Sequence, residues 1–119
     1  MGLYVHIAGW LELDDVSLEK ALAIIRADAD ELEHYAESWC PQSRGGGYGS
    51  HLFYGCTIRE SALAGFRSQL SRIAAEATSR DGDMTDYPTG IFRAVHEIED
   101  VPIEIWHVSD GSLRVETLM

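Results

Sequence analysis

The sequence predicts an α+β fold in which two helices pack on one face of a mixed five-stranded sheet, in the order β-α-β-α-β-β-β. Two segments repeat apolar residues at helical spacing, and the C-terminal third alternates apolar and polar residues around an Asp-Gly pair. The chain has 119 residues, of which 45% are hydrophobic and 24% are charged. This size and composition suit a single αβ domain over residues 1–119 with one core.

The first strand and the first helix are predicted from the spacing of apolar residues. Residues 3–7 alternate but are apolar on both faces, which is typical of a strand inside a sheet. A long helix should follow, because apolar residues then recur at spacings of four and three. Its stripe comprises Leu18, Leu22, Ile25, Ala29, Leu32, Ala36 and Trp39. Ser17 or Asp15 would cap this helix, and Pro41 would end it.

A second strand is predicted over residues 51–57, and a second helix follows it. Thr57 and Glu60 fit a capping box at the start of this helix. Its apolar stripe comprises Leu63, Phe66, Leu70, Ile73 and Ala77. Residues 81–90, with an Asp-Gly pair, a proline and a final glycine, are predicted to form a connecting loop. Because right-handed crossovers join parallel strands, we expect the first three strands to be mutually parallel.

The last three strands are predicted to form an antiparallel meander. They cover residues 91–98 and 103–108 and the segment after Asp110-Gly111. An Asp-Gly pair between two such runs favours a two-residue type I′ hairpin. Counting outward from this turn pairs Val108 with Leu113, Trp106 with Val115, and His107 with Arg114.

The formal net charge is −11, and most of it comes from one third of the chain. Residues 10–40 contain nine carboxylates and two cations. Such a field repels nucleic acid and anionic membranes and attracts a cationic partner. The polar face of the predicted first helix comprises Glu19, Arg26, Asp30, Glu33 and Glu37, with Asp28 and Glu31 on its flank. We therefore expect this helix to bind a protein, and we expect no binding of nucleic acid or membrane.

The glycine-rich segment 45–49 has the composition of a flexible loop. Successive glycine N–H groups can cradle a phosphate, but this segment lacks the Gly-Lys-Ser/Thr ending of a P-loop and leads into a strand. Arg44 and Tyr48 lie at its rim, where they are candidates for contact with a protein partner.

The cysteines and histidines show no metal-binding pattern. No two histidines are spaced i, i+4, and the chain has no Cys-x-x-Cys pair, so no cofactor is predicted. Cys40 and Cys56 are expected to be free thiols. Cys56 directly precedes the predicted helix cap, so it is the one candidate nucleophile. Four histidines fall on predicted strands, namely His6, His51, His96 and His107.

The chain resembles the immunity proteins of bacterial polymorphic-toxin and contact-dependent growth inhibition systems in size, acidity and architecture. The acidic residues from Glu12 to Glu37 carry this resemblance. It implies a cytoplasmic protein, not an enzyme, that neutralises a cognate cationic toxin, such as a nuclease, by covering its active or substrate-binding site. The residues expected to contact the toxin are Asp28, Asp30, Glu31, Glu33, Tyr35, Glu37, Trp39, Arg44 and Tyr48.

Two other interpretations stay open at this stage. One is a small enzyme or ligand-binding domain that uses the glycine loop, Cys56 and a strand histidine. The other is a homo-oligomer that self-associates through Ile103, Ile105 and Leu118 of the last hairpin. A cytoplasmic location is expected in each case, because residues 1–7 lack a basic leader and no apolar run approaches the roughly 20 residues that span a bilayer.

Overall fold

A six-stranded antiparallel sheet forms the centre of the molecule. The computed structural model describes residues 3–29, 33–43, 49–98 and 100–118. The sheet comprises β1 (Tyr4–Leu13), β2 (Trp39–Ser43), β3 (Ser50–Arg59), β6 (Thr89–His96), β7 (Ile103–Ser109) and β8 (Ser112–Leu118). Their spatial order is β2-β3-β1-β6-β7-β8. A separate two-stranded hairpin comprises β4 (Ser79–Asp81) and β5 (Met84–Asp86).

Two α-helices are present in the described part of the chain, α1 (Asp15–Ala27) and α2 (Leu63–Glu76), and they pack against each other. Short 3₁₀ helices cover Glu33–Ser38 and Glu60–Ala62. The α+β class is therefore confirmed. The prediction of a mixed five-stranded sheet is wrong, because the sheet has six strands and every neighbouring pair is antiparallel.

The prediction that the first three strands are parallel fails because β2 was not foreseen. This strand lies between α1 and β3, pairs antiparallel with β3, and therefore runs in the same direction as β1. The crossover through α1 thus joins two parallel strands, β1 and β2, with β3 inserted between them. Likewise, α2 joins the parallel strands β3 and β6 with β1 between them. Each crossover skips one strand, so no parallel pair is adjacent.

The first helix is shorter than predicted. It ends at Ala27, where the backbone N–H of Asp28 bonds back to the carbonyls of Ile24 and Arg26. Asp14 is its N-cap, one residue before the predicted Asp15. Pro41 does not end a helix but lies in β2, which is an edge strand of the sheet. Proline, which has no backbone N–H, is tolerated in edge strands because one side of such a strand has no neighbouring strand to bond.

The second helix also begins later than predicted. Thr57 is still in β3, and its hydroxyl bonds to the Nδ1 atom of His6 at 2.7 Å, so no capping box forms with Glu60. The predicted apolar stripe of this helix is buried throughout. The Asp110-Gly111 hairpin and its three predicted residue pairs are confirmed, and both turn residues have positive φ, 50° and 78°.

The helices cover one face of the sheet and leave the other open. Along β1 the odd-numbered residues Val5, Ile7, Leu11 and Leu13 are buried, while the even-numbered residues are half-buried or exposed. The core includes these residues, the α2 stripe, three residues of α1 (Leu18, Ala21 and Ile25), and four large side chains from the sheet, Trp39, Tyr54, Phe92 and Trp106. The open face of the sheet carries exposed apolar side chains, among them Trp10 and Phe53.

Candidate protein-docking surface

Carboxylates from three separate segments of the chain, residues 12–15, 81–86 and 110, meet at one end of the sheet, where β1 and β7 end and β3, β6 and β8 begin. We name this surface the acidic end. It comprises Glu12, Asp14, Asp15, Asp81, Asp83, Asp86 and Asp110. The positions come from the end of β1, the start of α1, the β4–β5 hairpin and the β7–β8 turn. A dense group of like charges at one end produces a directional negative field.

Asp14 ties the hairpin to the first helix. Its Oδ1 atom accepts a hydrogen bond from the backbone N–H of Ser17 at 2.8 Å, which caps α1. Its Oδ2 atom accepts a hydrogen bond from the hydroxyl of Ser79, the first residue of β4. Burial acts to raise the pKa of Asp14, but hydrogen bonds from Ser79, Ser17 and Val16 outweigh it and hold the pKa below its ordinary value of 3.8. This carboxylate is therefore charged and fixed in place.

The neighbouring helix residue is held in a similar way. The hydroxyl of Ser50, at the start of β3, donates to the Oδ1 atom of Asp15 at 2.6 Å. On the open face of the sheet, Glu12 and His51 are directly opposite each other on β1 and β3. The distance from His51 Nε2 to Glu12 Oε1 is 3.7 Å. Two residues at the start of β3, Ser50 and His51, thus fix the positions of the carboxylates at the start of α1 and the end of β1.

A shallow cleft of about 370 Å³ lies in the middle of the acidic end. It is lined by Glu12, Leu13, Asp14, Gly49, Ser50, His51, Asp86 and Tyr87. Tyr87 is 41% exposed. The β7–β8 turn lies against the same ring, because a Cβ atom built on Gly111 would be 3.1 Å from Tyr87 Cε1. The cleft therefore combines an accessible aromatic ring with carboxylates on several sides.

The β4–β5 hairpin supplies the most accessible charges. Asp81, Asp83 and Asp86 are all exposed, and Gly82 turns the hairpin with a φ of 64°. Met84, between these aspartates, is the most exposed large apolar side chain of the described residues, at 69%. Such a short hairpin with three carboxylates, an exposed methionine and an adjacent tyrosine suits contact with a cationic protein surface.

Two of the residues predicted to contact a partner lie in the interior. Trp39 is 7% exposed and begins β2, so its ring is not part of the surface. Its indole Nε1–H donates to Gln69 Oε1 at 3.1 Å. The amide nitrogen of Gln69 donates to Asp28 Oδ2 at 3.2 Å, and the same carboxylate oxygen pairs with Arg72. Asp28 and Trp39 thus belong to one internal polar chain.

The other predicted contact residues are spread over the far side of the molecule or are not described. Tyr35 is half-buried, and its hydroxyl accepts a hydrogen bond from the Arg59 backbone N–H at 3.3 Å. Glu37 is exposed, and Glu33 begins the 3₁₀ helix over Glu33–Ser38. Asp30, Glu31, Arg44 and Tyr48, with most of the glycine loop, lie outside the described residues.

The structure does not bring Cys56 into an arrangement with a histidine and a carboxylate. Cys56 is half-buried on the helix-covered face of β3, and its thiol contacts the backbone oxygen of Thr57 at 3.6 Å. His6, His51 and His107 point to the opposite face of the sheet. His96 is on the same face as Cys56, but it lies two strands away on β6, where its Nδ1 atom is 3.8 Å from Glu60 Oε2. The two cysteines are free, as expected, and Cys40 is on the face opposite Cys56. In the described part of the chain no group of three His, Cys, Asp or Glu residues could hold a metal ion.

Comparison with known proteins gives no relative: no protein-family model, no curated protein and no solved structure matches this chain. Among the described helices, none combines the length and the apolar character that a bilayer crossing requires.

Sequence reasoning missed most of the acidic end. Residues 81–86 were expected to be connecting loop, although three of the six are aspartate and this density was a usable signal. No sequence signal could have placed Asp110 near Asp14, because 96 positions separate them and only the order of the strands brings them to one end.

Proposed function

We propose that this protein binds a cationic protein through its acidic end and neutralises it, as an immunity protein neutralises a toxin. The observation that carries the proposal is the convergence of seven carboxylates from three segments of the chain at one end of the sheet, where three of them, Glu12, Asp14 and Asp86, line the cleft at Tyr87. Charges scattered over a surface do not by themselves indicate a binding partner. Here, however, hydrogen bonds from Ser17, Ser50 and Ser79 fix the carboxylates of Asp14 and Asp15, so that part of the surface is preorganised for binding.

The chemistry of this surface favours a partner that itself binds an anionic polymer. A nuclease uses lysines and arginines to contact phosphates, and those cations match the carboxylates of the acidic end. Docking there would occlude the substrate-binding site of the nuclease. The proposal includes a cytoplasmic location, because a nuclease toxin acts in the cytoplasm of its target cell.

The apolar side chains of the hairpin would slow dissociation. Charges at the rim of an interface mainly speed association, whereas buried aromatic and methionine side chains hold the complex together. Tyr87 and Met84 are both exposed beside the aspartates, so they are the anchors that this surface offers. No cofactor takes part in this mechanism.

The proposal predicts that a toxin domain is encoded beside the gene for this chain, and the test uses that domain. The variant Asp81→Asn/Asp83→Asn/Asp86→Asn removes three charges from the acidic end. The matched control, Glu60→Gln/Glu97→Gln/Asp100→Asn, removes three exposed charges near the opposite end of the sheet. We expect the first variant to associate with the toxin at least about tenfold more slowly and to lose growth protection in co-expression, while the control keeps both.

Equal loss in the two variants would show that only net charge matters, and unchanged binding in the first would exclude the acidic end. A purified partner without excess cations would equally contradict the proposal. Circular dichroism of each variant confirms that the fold is retained.

A further inference from the structure

The two edges of the main sheet differ in how well they are protected from another strand. One edge is β2, which has five residues and contains Pro41. The other edge is β8, which has seven residues, no proline and no lysine, and no described strand pairs with its outer side. Six of its seven residues are exposed, among them Val115 at 40% and Leu118 at 45%. Edges of this length are normally blunted or covered, so β8 is a candidate for pairing with another strand.

The register of the β7–β8 hairpin determines which backbone groups of β8 are free. Ser109 and Ser112 close the two-residue turn as a hydrogen-bonded pair, and non-hydrogen-bonded and hydrogen-bonded pairs then alternate along the ladder. The backbone N–H and C=O groups of the even-numbered residues of β8 therefore bond to β7. Those of Leu113, Val115 and Thr117 face outward, so a strand added to this edge must bond to these three residues.

We propose that β8 is a homodimer interface, in which the β8 strands of two copies pair antiparallel about a twofold axis at Val115. Val115 forms a hydrogen-bonded pair with Val115 of the second copy, and Leu113 pairs with Thr117 of the second copy on either side of the axis. This arrangement satisfies the outward N–H and C=O groups of all three residues. The two six-stranded sheets become one continuous sheet.

Charge selects both the register and the occupant. Pairing centred on Val115 places Arg114 of each copy opposite Glu116 of the other, in non-hydrogen-bonded pairs, where side chains are closest. Moving the axis by one residue places Arg114 opposite Arg114, or Glu116 opposite Glu116, and like charges directly opposite each other are destabilising. The occupant is a second copy because the order Arg-Val-Glu, read in the opposite direction, presents a carboxylate to each arginine.

Both charges are available for this exchange. Arg114 makes no ion pair with any described residue. Glu116 contacts His107 of its own chain through one oxygen, at 3.1 Å from Oε1 to Nε2, and His107 lies on the β7 side of this carboxylate. Arg114 of the second copy approaches from the outer side and binds the other oxygen, since a carboxylate accepts several hydrogen bonds. The contact between copies therefore adds to the contact with His107 and does not replace it.

The rest of the molecule leaves this edge accessible. Val115 is on the helix-covered face, opposite Trp106, but its 40% exposure shows that α2 does not cover it. Antiparallel pairing also keeps the two acidic ends apart. The two Asp110 turns lie about five residues from the axis in opposite directions, or about 34 Å from each other, which is well beyond the Debye length of about 8 Å at 0.15 M salt.

Analytical ultracentrifugation of the full chain, from about 1 μM to about 500 μM, measures this association, because a single strand pair makes a small interface. We expect the parent to dimerise reversibly. Val115→Pro removes the N–H at the axis, which faces away from β7, so the hairpin keeps its own ladder. Val115→Ala is the matched control, because it also shortens the side chain but keeps the N–H. The Kd of the proline variant should exceed that of the alanine variant at least about tenfold. A parent that stays monomeric throughout, or equal Kd values for the two variants, overturns the proposal.

Charge variants test the register independently of Val115. Arg114→Glu and Glu116→Arg each place like charges opposite each other, so each variant alone should dimerise at least about tenfold more weakly than the parent. An equimolar mixture of the two should associate with a Kd near that of the parent, because each arginine again meets a carboxylate of the other copy. A mixture no stronger than either variant alone overturns the axis at Val115.

Amide hydrogen exchange of the parent gives a local readout. Exchange at Leu113, Val115 and Thr117 should slow as the protein concentration rises, because their N–H groups bond only in the dimer. Arg114 and Glu116 should exchange slowly at every concentration, since their N–H groups already bond to β7. A dimer that leaves exchange at the three outward residues unchanged contradicts the proposed edge.

Discussion

At the scale of single residues, the internal chain Trp39-Gln69-Asp28-Arg72 determines how the edge of the sheet meets the helices. The indole N–H, the amide and the carboxylate satisfy one another in sequence, and Arg72 compensates the charge of Asp28. Buried polar groups lower the stability of the fold little when each has a hydrogen-bond partner, but removing one partner leaves the other group unsatisfied and is strongly destabilising. This series of hydrogen-bonded side chains therefore anchors β2 through Trp39 and the end of α1 through Asp28.

Gln69→Leu should destabilise the protein by roughly 1–3 kcal/mol, because the Trp39 N–H would stay buried without an acceptor and Asp28 would lose a donor. Chemical denaturation at neutral pH measures this change. Gln42→Leu, the same substitution at an exposed site on β2, is the control and should stay within about 0.5 kcal/mol. Equal effects at the two positions would show that the polar chain contributes nothing specific.

Asp14 should make stability depend on pH in the acid range. Its pKa in the folded protein is below the ordinary 3.8, so its contribution is complete above that pH and is lost as the pH falls through the lowered pKa. Asp14→Ala should therefore cost about 0.5–2 kcal/mol near neutral pH, the usual cost of losing a helix cap, and less near pH 2. Urea unfolding at both pH values, with the exposed Glu19→Ala as control, measures the difference. A cost that is the same at both pH values would contradict this account.

At the scale of elements, the close contact of β1 with β6 depends on glycine. A Cβ atom on Gly90 would be 2.0 Å from the backbone oxygen of Trp10 and 2.9 Å from Leu11 Cα. Both atoms belong to the central strand, which cannot move aside without disturbing its pairing with β3. Glycine is required here for a close approach of backbones.

Gly90→Ala should destabilise the protein by roughly 1–3 kcal/mol through this overpacking. Gly55 offers the matched control, because it lies in the same sheet and an added Cβ would have no heavy atom within 4 Å. Thermal unfolding of the two variants should separate them by several degrees. If Gly55→Ala is as destabilising as Gly90→Ala, the effect comes from strand glycine in general and not from the contact with β1.

At the scale of the whole molecule, charge and apolar surface are segregated. The acidic end gathers carboxylates at one end of the sheet, and the open face carries exposed apolar side chains such as Trp10 and Phe53.

Association with a cationic toxin should be fastest at low ionic strength and should slow markedly by about 0.15 M salt, where the Debye length is about 8 Å. Stopped-flow measurements across a salt series give the slope of the association rate against salt concentration. This slope should be shallower for the Asp81/Asp83/Asp86 variant than for the Glu60/Glu97/Asp100 control. A parent rate that does not respond to salt would remove electrostatic steering from the mechanism.

The sequence alone was sufficient for features that depend on neighbouring residues. The Asp110-Gly111 turn and its register were predicted correctly, because positive φ values and a two-residue turn determine which residues pair. The apolar stripe of α2 was also correct, since helical periodicity directly reports a buried face. The acidity of the chain follows from composition.

Only the tertiary structure decided the sheet order and the composition of the acidic end. The five residues of β2 carry no strong strand pattern, and Trp39 fitted a helical stripe equally well until its contacts with Gln69 and Phe66 placed it in the core. Inserting this strand made every neighbouring pair antiparallel. That order carried Asp81–Asp86 and Asp110 to the start of α1, because long-range pairing, and not local preference, sets which strand ends meet.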